Sequence, residues 1–122
     1  MTIAEVISKV DSLKPNTYAP EDKIDWLSTL DSRVKSHIID AHVCNEPIFF
    51  YGYSDQDMET ELLVPAPYDE IYLFWLEAKI NYWNGEYGKY NNSIEMYNEA
   101  YTAYAKCYTR EHMPKGKKFK FF

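Results

Sequence analysis

Residues 87–108 of the chain read YGKYNNSIEMYNEAYTAYAKCY. Seven bulky side chains in this stretch share one helical line, with steps of three, four, three, four, three and four residues: Tyr87, Tyr90, Ile94, Tyr97, Tyr101, Tyr104 and Tyr108. A repeat of 3.5 residues is typical of a helix that packs along another helix. We therefore predict a long helix here whose tyrosine seam lies in the core, the alternative being a face that a second subunit covers.

The helix that packs against this seam is predicted to precede it, running from Pro67 to about Trp83 and ending at the turn signal Asn84-Gly85. Its apolar side chains form two lines on roughly opposite sides: Tyr68, Ile71, Trp75, Ala78 and Tyr82 on one, and Leu73, Leu76, Ile80 and Trp83 on the other. A helix that is apolar on both sides is either central to a core or faces a partner with its second side. We expect an antiparallel helix pair, with the second line as a possible subunit interface.

Two shorter helices are predicted in the N-terminal half. Thr2 and Glu5 form a capping box that starts the first helix, which should end before Pro15. Pro20 is well placed to open the second helix. The apolar positions of that helix lie at steps of three and four residues: Ile24, Leu27, Leu30, Val34 and Ile38.

Residues 42–66 break the helical period. Two short runs, Ile48–Tyr51 and Leu62–Val64, favour strands, and a polar acidic stretch separates them. A short β-hairpin and an extended loop both fit. The fold class is therefore mainly α: a small bundle of about four helices, a long antiparallel pair in the C-terminal half, and this hairpin or loop. Residues 1–112 should form one helical domain, and residues 113–122 an extended arm.

The charge is unevenly distributed along the chain. The 122 residues carry a net charge of −6, but residues 1–109 hold eight basic and eighteen acidic side chains. Residues 110–122 hold five basic side chains and one acidic one. An acidic body disfavours wrapping of nucleic acid, because binding to phosphates needs a positive field. No apolar run approaches the length of a spanning helix, so we expect a protein of the cytoplasm with no membrane contact.

The sequence offers no convincing metal, cofactor or catalytic motif. The acidic stretch contains four alternating carboxylates, Asp55, Asp57, Glu59 and Glu61. A calcium loop that starts at Asp55 would need Gly and Glu where Thr60 and Ala66 stand. The cluster of His37, His42 and Cys44 lacks the spacing of a zinc site. We predict no enzyme activity, no cofactor and no metal, and interpret the acidic stretch as a solvated loop.

The C-terminal arm combines positive charge with aromatic bulk. Its distinctive residues are Lys115, Lys117, Lys118, Phe119, Lys120, Phe121 and Phe122. In an extended segment Phe119 and Phe121 share one side, a pattern that suits docking in a neighbour's groove or at a sheet edge. The arm could also fold back on its own domain, while contact with a membrane or nucleic acid is a weaker alternative.

Several stretches resemble a known family: Leu62–Tyr72, Tyr82–Tyr87, Tyr90–Asn92 and His112–Gly116. They are similar to the small head–tail connector, or adaptor, proteins of long-tailed phages and prophages of Gram-positive bacteria. The resemblance covers most of the chain and rests on aromatic and turn patterns. It transfers no role to any single residue.

The resemblance implies a non-enzymatic virion subunit that forms a ring of about a dozen copies on the portal protein. The ring would continue the DNA channel, with DNA passing without specific binding, and the C-terminal arm would reach the portal. The acidic loop at Asp55, Asp57, Glu59 and Glu61 could then face the lumen. Such a protein would assemble in the host cytoplasm and end in the virion neck. Another neck or tail-completion protein, or a cytosolic interaction module with an aromatic groove, is the alternative; a sugar-acting enzyme is weaker.

Overall fold

The computed structural model describes residues 1–40, 52–54 and 57–111. Four α-helices make up most of this part of the chain: α1 (Ile3–Leu13), α2 (Pro20–Val34), α3 (Ile71–Trp83) and α4 (Tyr87–Glu111). A π-helical turn continues α2, and a 3-10 turn precedes α3. The predicted mainly α bundle of about four helices is confirmed. The described residues include no strand.

The first two helices begin where their capping signals lie. The Thr2 hydroxyl accepts a hydrogen bond from the Glu5 N–H at 3.2 Å, which satisfies a donor that the first turn leaves free. Pro20 occupies the first turn of α2, where its missing N–H costs nothing. The α2 stripe faces inward, with Leu27 and Leu30 fully buried. Both predicted helices are confirmed.

The long antiparallel pair formed by α3 and α4 is the most extensive helix contact of the fold. Gly85 allows the turn between them because it adopts a φ of +79°, a region that glycine enters without strain. Inside the pair, the Asn81 amide donates a buried hydrogen bond to the Ser93 hydroxyl at 2.9 Å. The tyrosine seam of α4 is mainly a core seam, since Tyr97, Tyr104 and Tyr108 are buried.

Helix α3 lies at the centre of the core rather than at its edge. Leu76 and Ile80 are fully buried by the chain's own helices. The prediction of a subunit interface along Leu73, Leu76, Ile80 and Trp83 is therefore wrong for these two residues. The cause is the bundle geometry: α1 and α2 cover the side of α3 that α4 leaves open. Leu73 is half-buried, and only Trp83, at the end of the line, is exposed.

Within the described residues, the segment 57–66 contains turns and extended backbone. Its residues pair with the N-terminus: the Ile3 N–H donates to the Thr60 carbonyl at 3.2 Å, and the Leu62 N–H donates to the Met1 carbonyl at 3.0 Å. Leu62 and Val64 are buried against the helices. The other predicted strand, at residues 48–51, lies outside the described residues.

One hydrophobic core links the described elements, from Ile3 in α1 to Tyr108 in α4. No helix in the described ranges is long and apolar enough to cross a bilayer.

Candidate functional site

Three large aromatic side chains are exposed together where α3 ends and α4 begins. Tyr82, Trp83 and Tyr87 are 46%, 59% and 62% exposed. The Tyr82 ring lies 5.3 Å from the Trp83 ring and 6.1 Å from the Tyr87 ring, centre to centre, in edge-to-face arrangements. These three residues are called the aromatic cluster below. Large aromatic side chains that stay in water in this way are typical of surfaces that another molecule covers.

The turn that carries the aromatic cluster is fixed by polar contacts from the N-terminal half. The Tyr18 hydroxyl donates to the Asn84 side-chain oxygen at 2.8 Å. Lys14 and Glu86 form an ion pair at 2.8 Å, and the hydrogen bond from Lys14 holds the pKa of Glu86 below its ordinary value. The cluster is therefore presented on a braced turn, which lowers the entropy lost when a partner binds.

The helical periods of α3 and α4 predict that Tyr82 and Tyr87 lie on core-facing lines. Both are exposed, and both lie beside the turn that joins α3 to α4. Their position next to Asn84-Gly85 was the signal that could have shown this. Trp83 was predicted at an interface, and the structure brings it together with these two tyrosines.

The carboxylates of the acidic stretch differ in their exposure and in their hydrogen bonds. The Asp57 carboxylate accepts hydrogen bonds from the Ser54 N–H at 2.7 Å and from the Ser54 hydroxyl at 3.2 Å, so it stabilises a turn. Glu59 is exposed, and Glu61 lies 3.5 Å from the Met1 amino group with its side chain 76% exposed. Asp55 lies outside the described residues. Within those residues, no three His, Cys, Asp or Glu side chains are grouped as metal ligands would be.

The predicted docking residues of the arm, Lys115, Lys117, Lys118, Phe119, Lys120, Phe121 and Phe122, all lie outside the described residues. So do His42 and Cys44 of the dismissed zinc cluster.

A buried carboxylate on α2 forms hydrogen bonds that hold part of the loop before α3 against the helices. Asp31 on α2 is fully buried and accepts hydrogen bonds from the hydroxyls of Tyr53 and Tyr72 and from the Leu63 N–H. The Tyr72 hydroxyl in turn accepts from the Val64 N–H at 2.7 Å. Burial raises the pKa of Asp31, although all three donors act to lower it. These bonds attach Tyr53, Leu63 and Val64 to the helices, so the role of Asp31 is structural.

Sequence reasoning missed Asp31. It lies four residues after Leu27 and three before Val34, and therefore occupies the apolar stripe of α2. An acidic residue on such a stripe signals a buried polar site, because a charge is placed in a core only with hydrogen-bond partners.

No protein-family model matches the chain, and no match to it was found among curated proteins or among solved structures.

Proposed function

We propose that this chain is a non-enzymatic structural subunit of a phage particle, a head–tail connector that joins a ring on the portal protein. The observation that carries the proposal is the aromatic cluster, exposed on a braced turn at one end of the helix pair. Aromatic residues supply much of the binding energy at protein interfaces, and a cluster of three can anchor a subunit contact.

The charge distribution supports the same proposal. A subunit that lines a DNA channel must not hold DNA, and fixed negative charge repels phosphate. Residues 1–109 carry ten more acidic than basic side chains. In this proposal the exposed acids of the 57–61 segment face the lumen, the aromatic cluster meets a neighbouring copy, and the basic arm reaches the portal. Assembly takes place in the host cytoplasm, and the finished subunit lies in the virion neck with other neck or tail-completion proteins.

The test uses DNA-filled capsids that lack necks. The full chain is added, and electron microscopy records whether a ring appears at the portal vertex. Three variants are compared with it: Trp83→Ser in the aromatic cluster, Met96→Ser as a matched control, and a chain without residues 114–122. Met96 is suitable because it is 46% exposed on α4 yet outside the cluster.

We expect rings with the full chain and with Met96→Ser, and at least a tenfold lower occupancy with Trp83→Ser. Circular dichroism checks that both substituted variants keep their helices. No ring with the full chain would overturn the connector proposal and favour a cytosolic interaction module. Unchanged ring occupancy after removal of residues 114–122 would overturn docking by the arm. Unchanged ring occupancy with Trp83→Ser would overturn the role of the aromatic cluster.

A further inference from the structure

A separate pocket of about 480 Å³ opens between α2, α3 and α4. Its size is within the range of pockets that hold small ligands. The side chains that matter for its chemistry are two cations and four aromatic residues: Arg33, Lys79, Trp75, Tyr82, Tyr90 and Tyr97. It is called the Arg33–Lys79 pocket below. It borders the aromatic cluster through Tyr82, but its polar groups are distinct from that surface.

The two cations converge on one indole ring. The Arg33 guanidinium carbon lies 5.3 Å from the centre of the Trp75 ring, and the Lys79 ammonium lies 4.8 Å from it. Neither cation forms an ion pair with a carboxylate of the described residues. Like charges held close together repel each other, and burial of an ammonium adds a further cost. Both effects lower the pKa of Lys79, burial being the larger and Arg33 the smaller.

Four of the eight basic residues in 1–109 have a carboxylate partner among the described residues, and Lys9 and Lys106, which have none there, are exposed surface lysines. Lys14, Lys23 and Lys35 each have a carboxylate partner within 3.0 Å. Residues 1–109 contain more than twice as many acidic as basic side chains, so partners for Arg33 and Lys79 are abundant in the chain. No described residue that lines the Arg33–Lys79 pocket is a carboxylate. Two neighbouring cations without a carboxylate partner in the described part of the chain leave a local positive field that an anion can neutralise.

The remaining polar groups of the pocket can donate hydrogen bonds to an anion. The Tyr97 hydroxyl accepts a hydrogen bond from Arg33 at 3.2 Å, so its own proton can be donated to a ligand. The Tyr97 hydroxyl is protonated at neutral pH, because burial raises its pKa above the ordinary value of 10. The Tyr97 ring lies 4.9 Å from the Trp75 ring, and the two form an aromatic wall beside the cations.

The lining of the Arg33–Lys79 pocket favours a carboxylate over a phosphate as its ligand. Phosphate sites commonly use the free N–H groups at a helix N-terminus. From α4 this pocket is lined by residues from Tyr90 onward, and the Tyr90 N–H already donates to the Glu86 carbonyl at 2.9 Å, so these main-chain N–H groups are used within the helix. Its aromatic walls favour a ligand with a flat or apolar body. We propose that the Arg33–Lys79 pocket binds a carboxylate attached to an aromatic or apolar group.

The proposal is tested by NMR titration of the full chain with phenylacetate. The neutral phenylacetamide is the matched ligand control, and inorganic phosphate tests for an unselective anion site. The variants Arg33→Gln and Lys79→Met remove one cation each. Lys106→Met, an exposed lysine on α4 outside the pocket, is the control variant.

We expect phenylacetate to shift the Trp75 indole resonance and to bind at least tenfold more tightly than phenylacetamide or phosphate. Arg33→Gln and Lys79→Met should each weaken phenylacetate binding at least tenfold, and Lys106→Met should leave it unchanged. Equal binding of acid and amide, tighter binding of phosphate, or insensitivity to both pocket variants would overturn the proposal. So would an unchanged Trp75 resonance at the highest phenylacetate concentration.

A second arm distinguishes the source of the carboxylate. A blocked Trp-Asp dipeptide and its Trp-Asn counterpart present the same chemistry as part of a protein. Competition with phenylacetate by the Asp form alone identifies an acidic side chain of a partner as the ligand. Binding of phenylacetate without such competition identifies a free small carboxylate. Either result is separable from the connector proposal, because neither measurement requires assembly on a capsid.

Discussion

Asp31 and Arg33 lie two residues apart on α2 and carry opposite charges, yet their surroundings differ. Asp31 is fully buried and accepts three hydrogen bonds. Arg33 is exposed at a pocket, donates to Tyr97, and lies near a second cation, with no carboxylate among the described residues that line the pocket. The Asp31 carboxylate is satisfied by hydrogen bonds inside the fold, whereas the Arg33 guanidinium remains available to an anionic ligand. Loss of Asp31 should therefore cost much stability, whereas loss of a cation at the Arg33–Lys79 pocket should cost little.

The largest effect is expected from removal of the Asp31 carboxylate. Asp31→Ala leaves the Tyr72 hydroxyl and the Leu63 N–H without their acceptor in or near the core. We expect a loss of about 3–4 kcal/mol in the free energy of unfolding, measured by urea denaturation. The matched control is Asp40→Ala, which removes a half-exposed partner of Lys35 and should cost less than about 1 kcal/mol. Equal losses for the two variants would contradict the structural role of Asp31.

A smaller effect should appear as a pH dependence. Burial raises the pKa of Asp31 above its ordinary value of 3.8, so the folded protein holds this proton more tightly than the unfolded chain. The resulting stability is fully present below pH 3.8 and is lost as the pH rises through the folded pKa. We expect the unfolding free energy of the wild type, minus that of Asp31→Asn, to fall as the pH rises above that value. A difference that increases over the same range would mean that the hydrogen bonds outweigh burial.

Sequence patterns predicted the helices because the signals were local. The Thr2 cap and the proline at position 20 each act within one turn, and the apolar stripe of α2 repeats over four turns. The tyrosine seam of α4 was interpreted correctly for the same reason. A period identifies the side of a helix that is buried, and Tyr97 and Tyr104 lie on that side.

The same patterns could not show where along a helix burial ends, or which side chains of two neighbouring helices come together. Tyr87 continues the seam of α4 but is exposed, because its burial depends on how far a neighbouring helix extends. Lys79 follows Trp75 by one helical turn, and its approach to Arg33 depends on the packing of α2 against α3. The Arg33–Lys79 pocket therefore had only a weak signal in the sequence, namely a single cation within an apolar helix.

The smallest predicted effect concerns that cation. Lys79→Met removes a half-buried ammonium whose pKa is lowered by burial and by Arg33, while its apolar stem is replaced by one of similar length. We expect the unfolding free energy at neutral pH to stay the same or to rise by up to about 0.5 kcal/mol. Lys23→Met is the contrasting variant, because Lys23 is buried but paired with Asp11 at 2.6 Å, and its loss should cost about 1–2 kcal/mol. Urea denaturation of both variants measures the difference. A stability loss for Lys79→Met as large as that for Lys23→Met would show that Lys79 stabilises the fold, and its lack of a carboxylate partner would then no longer indicate a ligand.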